Sequence, residues 1–202
     1  MDKQGLLIVI SAPSGSGKTT LCEKLVSACP DIVYSISATT RLSRKGEKDG
    51  KDYFFLKIEE FEKKKRNNEF LEWANVFGEY YGTPRRFIDK MRKKGKDVIL
   101  NVDVQGAFQV KKIHPEAVFI FLLPPSMDIL KQRLRNRRKD SAKEISKRLR
   151  FAKSEIAQIN NYDYVIINKS ITKSLRKFLA IIDVEKSRIK QMKVEINDLY
   201  SS

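Results

Sequence analysis

The chain has 202 residues, 41% of them hydrophobic, with 41 Lys and Arg against 25 Asp and Glu and a formal net charge of +16. This composition supports one globular domain and argues against disorder; no apolar run is long enough for a transmembrane helix or a secretory leader, so a cytoplasmic protein without a membrane partner is expected. The single histidine gives no zinc site, and Cys22 and Cys29 on one predicted helix would sit roughly 10 Å apart, beyond the span of about 7 Å that a disulfide allows.

Leu6 to Ser11 (LLIVIS) is an apolar, β-branched run and reads as a buried parallel strand. It leads through a glycine-rich loop into a helix from Thr19 to Ala28. Residues 34–83 break the pattern with Tyr53 to Leu56, a short helix near Ile58 to Arg66, and aromatic segments at Phe70 to Phe77 and Tyr80-Tyr81. They read as a mixed β insertion. Beyond it the pattern predicts a helix over 84–94, a strand over 98–104 and another over 117–123. Helices over 126–138 and 141–159, a short strand over 164–167 and a helix over 170–190 follow, with a polar tail prone to fray. Strands alternating with helices predict an α/β fold with a parallel sheet.

The sharpest local signal is the run Ala12, Pro13, Ser14, Gly15, Ser16, Gly17, Lys18, Thr19. It matches a P-loop except that Ala12 stands where the first glycine would be. Glycines let the backbone curl so that consecutive N–H groups face phosphate oxygens, and the following helix aims its N-terminal dipole at the same anion. Lys18 would reach the β and γ phosphates, and the Thr19 hydroxyl can ligate Mg²⁺. This predicts a P-loop NTPase-type fold, with Ala12 to Thr19 as the nucleotide-phosphate site. The loop does not specify which P-loop enzyme is present.

Further along, Arg41 and Arg44 lie three apart, with Ser37 upstream and Tyr53 downstream. Two planar guanidinium groups can converge on one phosphate; a solvated basic loop is the alternative. Then come Glu69-Phe-Leu-Glu72-Trp-Ala and Tyr80-Tyr81-Gly-Thr83. In order, these segments resemble the guanylate kinase family, whose pattern S-x-T-T-R-x-x-R-x-G-E-x-x-G-x-x-Y-x-F precedes E-F-[IL]-E-W-A and Y-Y-G-[ST]. The resemblance runs over essentially the whole chain, through Val102-Asp-Val-Gln-Gly106 and Pro124-Pro-Ser126 to Arg148.

The resemblance implies a kinase that moves the γ-phosphoryl group of ATP to GMP, with Mg²⁺ accompanying ATP. It implies that Arg41, Arg44, Tyr53 and Tyr81 hold the GMP phosphate, while Ser37, Glu72 and Thr83 read guanine. The chemistry agrees: one carboxylate at Glu72 can accept from guanine N1–H and N2–H₂ together, whereas adenine presents a lone pair at N1. Asp103 ends an apolar run, as a metal-associated acid does in many P-loop enzymes, and is expected beside Mg²⁺ with Thr19. Asn101 stands where the family has an acid; its amide can still hydrogen-bond the base. The resemblance marks Arg133, Arg137 and Arg148 as lid arginines, joining Lys18 and Arg41 as catalytic residues. Arg137-Arg138 replaces the family's Arg-Gly.

The expected organisation is a nucleotide-binding core (1–33, 84–132 and 154–202), a GMP-binding insertion (34–83) and a helical lid (133–153). Between Lys131 and Lys153, eleven Lys and Arg face two acids, a charge suited to crowded phosphates. ATP and GMP are the expected partners. Nucleic acid is not expected, since no motif for it is present; a homo-oligomer stays open. A catalytically inactive interaction module of the same fold is the alternative, and intact Lys18, Thr19, Arg41, Arg44, Glu72 and Arg148 argue against it.

Overall fold

A computed structural model describes residues 4–136 and 141–200. In chain order the elements are β1 (Leu7–Ser11), α1 (Lys18–Ala28), β2 (Ile32–Tyr34), β3 (Ala38–Thr39), β4 (Phe54–Phe55), α2 (Ile58–Arg66), β5 (Phe70–Val76), β6 (Glu79–Pro84) and α3 (Arg85–Lys93). They continue with β7 (Asp97–Asn101), α4 (Val104–Ile113), β8 (Val118–Leu123), α5 (Met127–Asn136), α6 (Ala142–Ile156), β9 (Tyr164–Ile167), α7 (Ile171–Lys186) and α8 (Ile189–Tyr200).

The main sheet is parallel, in the order β2-β7-β1-β8-β9. Every residue of β1 is buried because side chains alternate between two covered faces. Ile8 and Ile10 join Ile99, Ile120 and Ile166 on one face, under Leu21 and Leu25 of α1 and Phe178 of α7. Leu7 and Val9 join Val98, Leu100 and Phe119 on the other, under Ile88 of α3 and Val110 of α4. A smaller sheet, β4-β3-β6-β5, mixes parallel and antiparallel pairing. Its own core is Ala38, Phe61 and Phe70. Gly82 permits it: a Cβ there would press on Phe61 and Phe70 at 3.0 Å.

Three sequence expectations are corrected. The strand expected over 98–104 ends at Asn101, and Val104–Ile113 is a helix. Asp103 turns the chain by accepting the Gly106 N–H at 2.8 Å, which satisfies one of the open donors of the first helical turn. The edge strand Ile32–Tyr34 was not anticipated; it borrows its stability from pairing with β7. The helix expected over 170–190 ends at Lys186, and the tail expected to fray forms α8. Among the described residues, no helix is long and apolar enough to cross a membrane.

Candidate active site

The central strand β1 delivers the phosphate loop to the carboxyl edge of the sheet, where open α/β sheets take their ligands. Gly15 and Gly17 have φ of 97° and 92°, in the left-handed region. Ala12 needs no glycine, because it is not among the positive-φ residues. The Ser16 N–H closes a turn on the Pro13 carbonyl at 3.0 Å. Gly17 caps α1 without a side chain, and the first turn of α1 carries no acid, so its open N–H groups suit an anion.

Two distant side chains hold the loop's outer edge. Asn168, buried just beyond β9, donates to the Ser16 carbonyl at 2.7 Å, and Ser174 of α7 donates to Asn168 Oδ1 at 2.9 Å. Arg133 of α5 reaches the same carbonyl at 3.3 Å. A Cβ on Gly17 would meet Asn168 Nδ2 at 2.6 Å. Arg133 is expected from the sequence and Asn168 is not, because nothing near position 168 resembles a phosphate motif.

Lys18 Nζ donates to the Val102 carbonyl at 2.8 Å. Burial lowers its pKa, opposed by Glu155, Asp103 and Glu72 among its neighbours. Thr19 is exposed at the helix start. Asp103 gives one oxygen to the Gly106 N–H.

A single cleft of about 320 Å³ joins this loop to the small sheet. On one side lie Ala12 to Gly15, Gly17, Lys18 and Thr19; Ser37, Arg44, Tyr53, Glu72 and Tyr81 line the other; Asn101 and Asp103 form the floor. Arg148, Phe151 and Glu155 of α6 complete the wall. Arg41 and Thr83 are not among the residues that line it; Thr83 bonds Glu72, and Arg41 bonds Glu47. Arg137 lies outside the described residues.

Glu72 is buried on β5, and Thr83 on β6 donates its hydroxyl hydrogen to it, so Thr83 orients the carboxylate in addition to any contact with a base. Burial raises the Glu72 carboxyl to about 7, against the Thr83 hydrogen bond. Helix α4 fixes its position. The Gln109 amide accepts the Trp73 N–H at 3.2 Å and donates to the Trp73 carbonyl at 2.6 Å, capping an open strand edge. Gly106 lies so close that a Cβ would fall 2.2 Å from Glu72 Oε2. The glycine of the Val102–Gly106 segment is therefore a seat for Glu72.

The arginines are gathered by Glu47, which no sequence expectation includes. Arg41 Nη2 bonds both Glu47 oxygens at 2.9 and 3.0 Å, and the Arg44 N–H donates to Glu47 at 2.7 Å. Burial alone would raise the Glu47 carboxyl, but these donors hold it below its usual range. Arg41 also lies 5.4 Å over the Tyr53 ring, which meets Tyr81 edge-on at 6.0 Å. Asn101 donates to the Tyr34 hydroxyl at 2.7 Å.

Glu155 is a second buried carboxyl that the sequence did not flag. Burial raises it to about 7, with Lys18 drawing it down and Asp103 pushing it up.

The arrangement can bind one phosphate chain through backbone and Lys18, and a second nucleotide through arginines and a buried carboxylate. Comparison with known proteins agrees. The family profile described as guanylate kinase matches residues 4–186. A guanylate kinase of Caldanaerobacter subterraneus subsp. tengcongensis is 49% identical, covering 98% of this chain and 94% of that one. One of Carboxydothermus hydrogenoformans is 46% identical, over 96% and 95%. The crystal structure of guanylate kinase from Anaplasma phagocytophilum superposes with a TM-score of 0.82 at 36% identity, over 98% of this chain and 95% of that one. The chain belongs to the guanylate kinase family.

Proposed function

We propose that this kinase transfers the γ-phosphoryl group of ATP to GMP, giving ADP and GDP, within the cleft between the phosphate loop and the small sheet. The observation that carries the reading is that one cavity holds both the loop's open N–H groups and a buried carboxylate at Glu72. ATP phosphates lie along Gly15 to Thr19, with Lys18 leaving the Val102 carbonyl for the β and γ oxygens. GMP lies against the small sheet. Arg41, Arg44, Tyr53 and Tyr81 hold its phosphate; ionised Glu72 accepts from guanine N1–H and N2–H₂; Ser37 and Asn101 flank the base.

A GMP phosphate oxygen is already anionic, so attack in line on the γ-phosphorus needs no general base. The protein supplies position and charge. Arg148, which lines the cleft, and Arg133, on leaving the Ser16 carbonyl, would neutralise the transferring group. The Thr19 hydroxyl and Asp103 Oδ2, which Gln105 Nε2 reaches only at 3.5 Å, are two hard donors, which fits a Mg²⁺ that takes its other ligands from phosphate and water. Mg²⁺ bound there would offset charge across the β and γ phosphates. The cytosol is the proposed place of action.

The test is coupled ADP release with ATP and each of GMP, dGMP, AMP, CMP and UMP, for wild type and Glu72→Ala. Turnover with GMP and, more weakly, dGMP is expected. Glu72→Ala should lose GMP preference by at least about 10²-fold while staying folded, because guanine N1–H and N2–H₂ are then left without their acceptor. A GMP-to-AMP ratio unchanged in that variant would overturn the assignment of Glu72.

A further inference from the structure

The hairpin joining β5 to β6 turns on a residue whose backbone does not suit it. Phe77 has φ 57° and Gly78 φ 96°, and Asn75 Oδ1 accepts the Gly78 N–H at 3.0 Å. Gly or Asn enters the left-handed region readily; a bulky aromatic residue does so at a cost. Burial does not offset that cost, since Phe77 is 51% exposed.

The ring is instead directed across the mouth of the cleft onto α6. Its centroid lies 5.0 Å from that of Phe151, tilted by 57°, and Lys147 Nζ lies 5.1 Å from its centre. Lys147 and Phe151 are four apart on α6 and so share a face. Arg148 lies between them in sequence, and Phe77, Arg148 and Phe151 all line the cleft. A strained backbone at a point where two parts of a site meet points to function rather than folding.

We infer that Phe77 is a closure latch, a positioning residue that holds α6 across the cleft and so sets Arg148 over the transferring phosphoryl group while excluding water. The inference rests on the reading that GMP lies against the small sheet and ATP on the loop. Two part-exposed rings and one lysine make a contact that can reopen to release products.

The test is a cycle of Phe77→Asn, Phe151→Ala and the double variant. Asparagine accepts the left-handed turn, so Phe77→Asn should keep or raise Tm. It should lower kcat/KM for GMP by about tenfold and raise the share of ATP hydrolysed without GDP formation, because water now enters. The double variant should be no worse than either single, and Phe77→Trp should restore activity. A Phe77→Asn enzyme with wild-type kcat/KM and coupling would overturn the latch, as would losses that multiply in the double variant. Both singles should keep the GMP-to-AMP preference; its loss in Phe77→Asn would also overturn the latch, since Phe77 would then act through the base pocket. Failure of the base assignment shows separately, in the Glu72→Ala selectivity.

Discussion

In the proposed function the phosphate loop and the region of the small sheet solve the same problem, holding a phosphate, in different ways. The loop does so within eight consecutive residues, with backbone N–H groups whose positions follow from two glycines and a helix start. The region of the small sheet would do so with side chains that other side chains hold: Arg41 is held by Glu47 in the loop after β3, and Glu72 on β5, on the base side, by Thr83 on β6. Backbone geometry is cheap to preorganise. Side chains need partners, and those partners are the residues a motif search passes over. The loop therefore depends on chain conformation, and the small sheet on a network that ligand or mutation can rearrange.

The largest expected break falls on the loop. Lys18→Ala should lower kcat by about 10³-fold or more, by the measure of charge neutralisation in phosphoryl transfer. Circular dichroism and Tm should stay near wild type, because the residue is only half-buried and its hydrogen bond goes to a backbone carbonyl. A comparable fall in Tm would make Lys18 structural.

Next comes the small core. Phe61 stacks on Phe70 at 4.5 Å and on Tyr80 at 5.4 Å. Phe61→Ala should destabilise by about 3–5 kcal/mol. Hydrogen exchange should speed up in 38–84 and leave β1, β7 and β8 protected, since the Phe61 cluster is separate from the two that cover the main sheet and only Leu71 of β5 joins one of those. Uniform loss of protection would mean that the regions unfold as one.

A pH profile sharpens the comparison further. Glu72 must be ionised to accept from guanine, yet burial holds its carboxyl near 7, with Asp103 raising it and Lys18 lowering it. The kcat/KM for GMP should therefore fall as pH drops through about 7, by about tenfold per unit at the limit. Glu72→Gln should abolish that limb. The stability sign is opposite. A folded pKa raised from 4.5 means that folding takes up a proton in this window, so stability falls as pH rises from about 4.5 to 7. The nucleotide-free protein should lose less Tm over that range in Glu72→Gln than in wild type.

The smallest effect is expected at Asn168. Asn168→Ala leaves the Ser16 carbonyl with Arg133 alone, and should cost about 1–2 kcal/mol with a several-fold rise in KM for ATP and little change in KM for GMP. Equal changes in both would show that the two regions are not independent.

Much of the sheet was legible in the sequence, because strands buried on both faces read as unbroken apolar runs; β1 and β8 are such runs. The phosphate loop was legible because its function lies in local backbone shape. The ordered motifs from Ser37 to Thr83 were legible by resemblance, and the cleft brings Ser37, Arg44, Tyr53, Glu72 and Tyr81 together. Helix α4 was not legible: β-branched Val102 and Val104 extended the strand pattern through Asp103, and the cap that turns the chain is a side-chain bond, not a periodicity.

The layer architecture, the phosphate loop and the family are legible in the chain alone, because all are properties of local pattern and order. Which groups support them emerges with packing. Gly106 admits Glu72, Gln109 caps the edge strand, Glu47 gathers both arginines, Asn168 steadies the loop and Phe77 meets α6. All but Glu47, which acts within its own loop, act on a residue distant along the chain, through a hydrogen bond or a close approach. Such contacts depend on how elements pack, and a linear pattern carries no record of that.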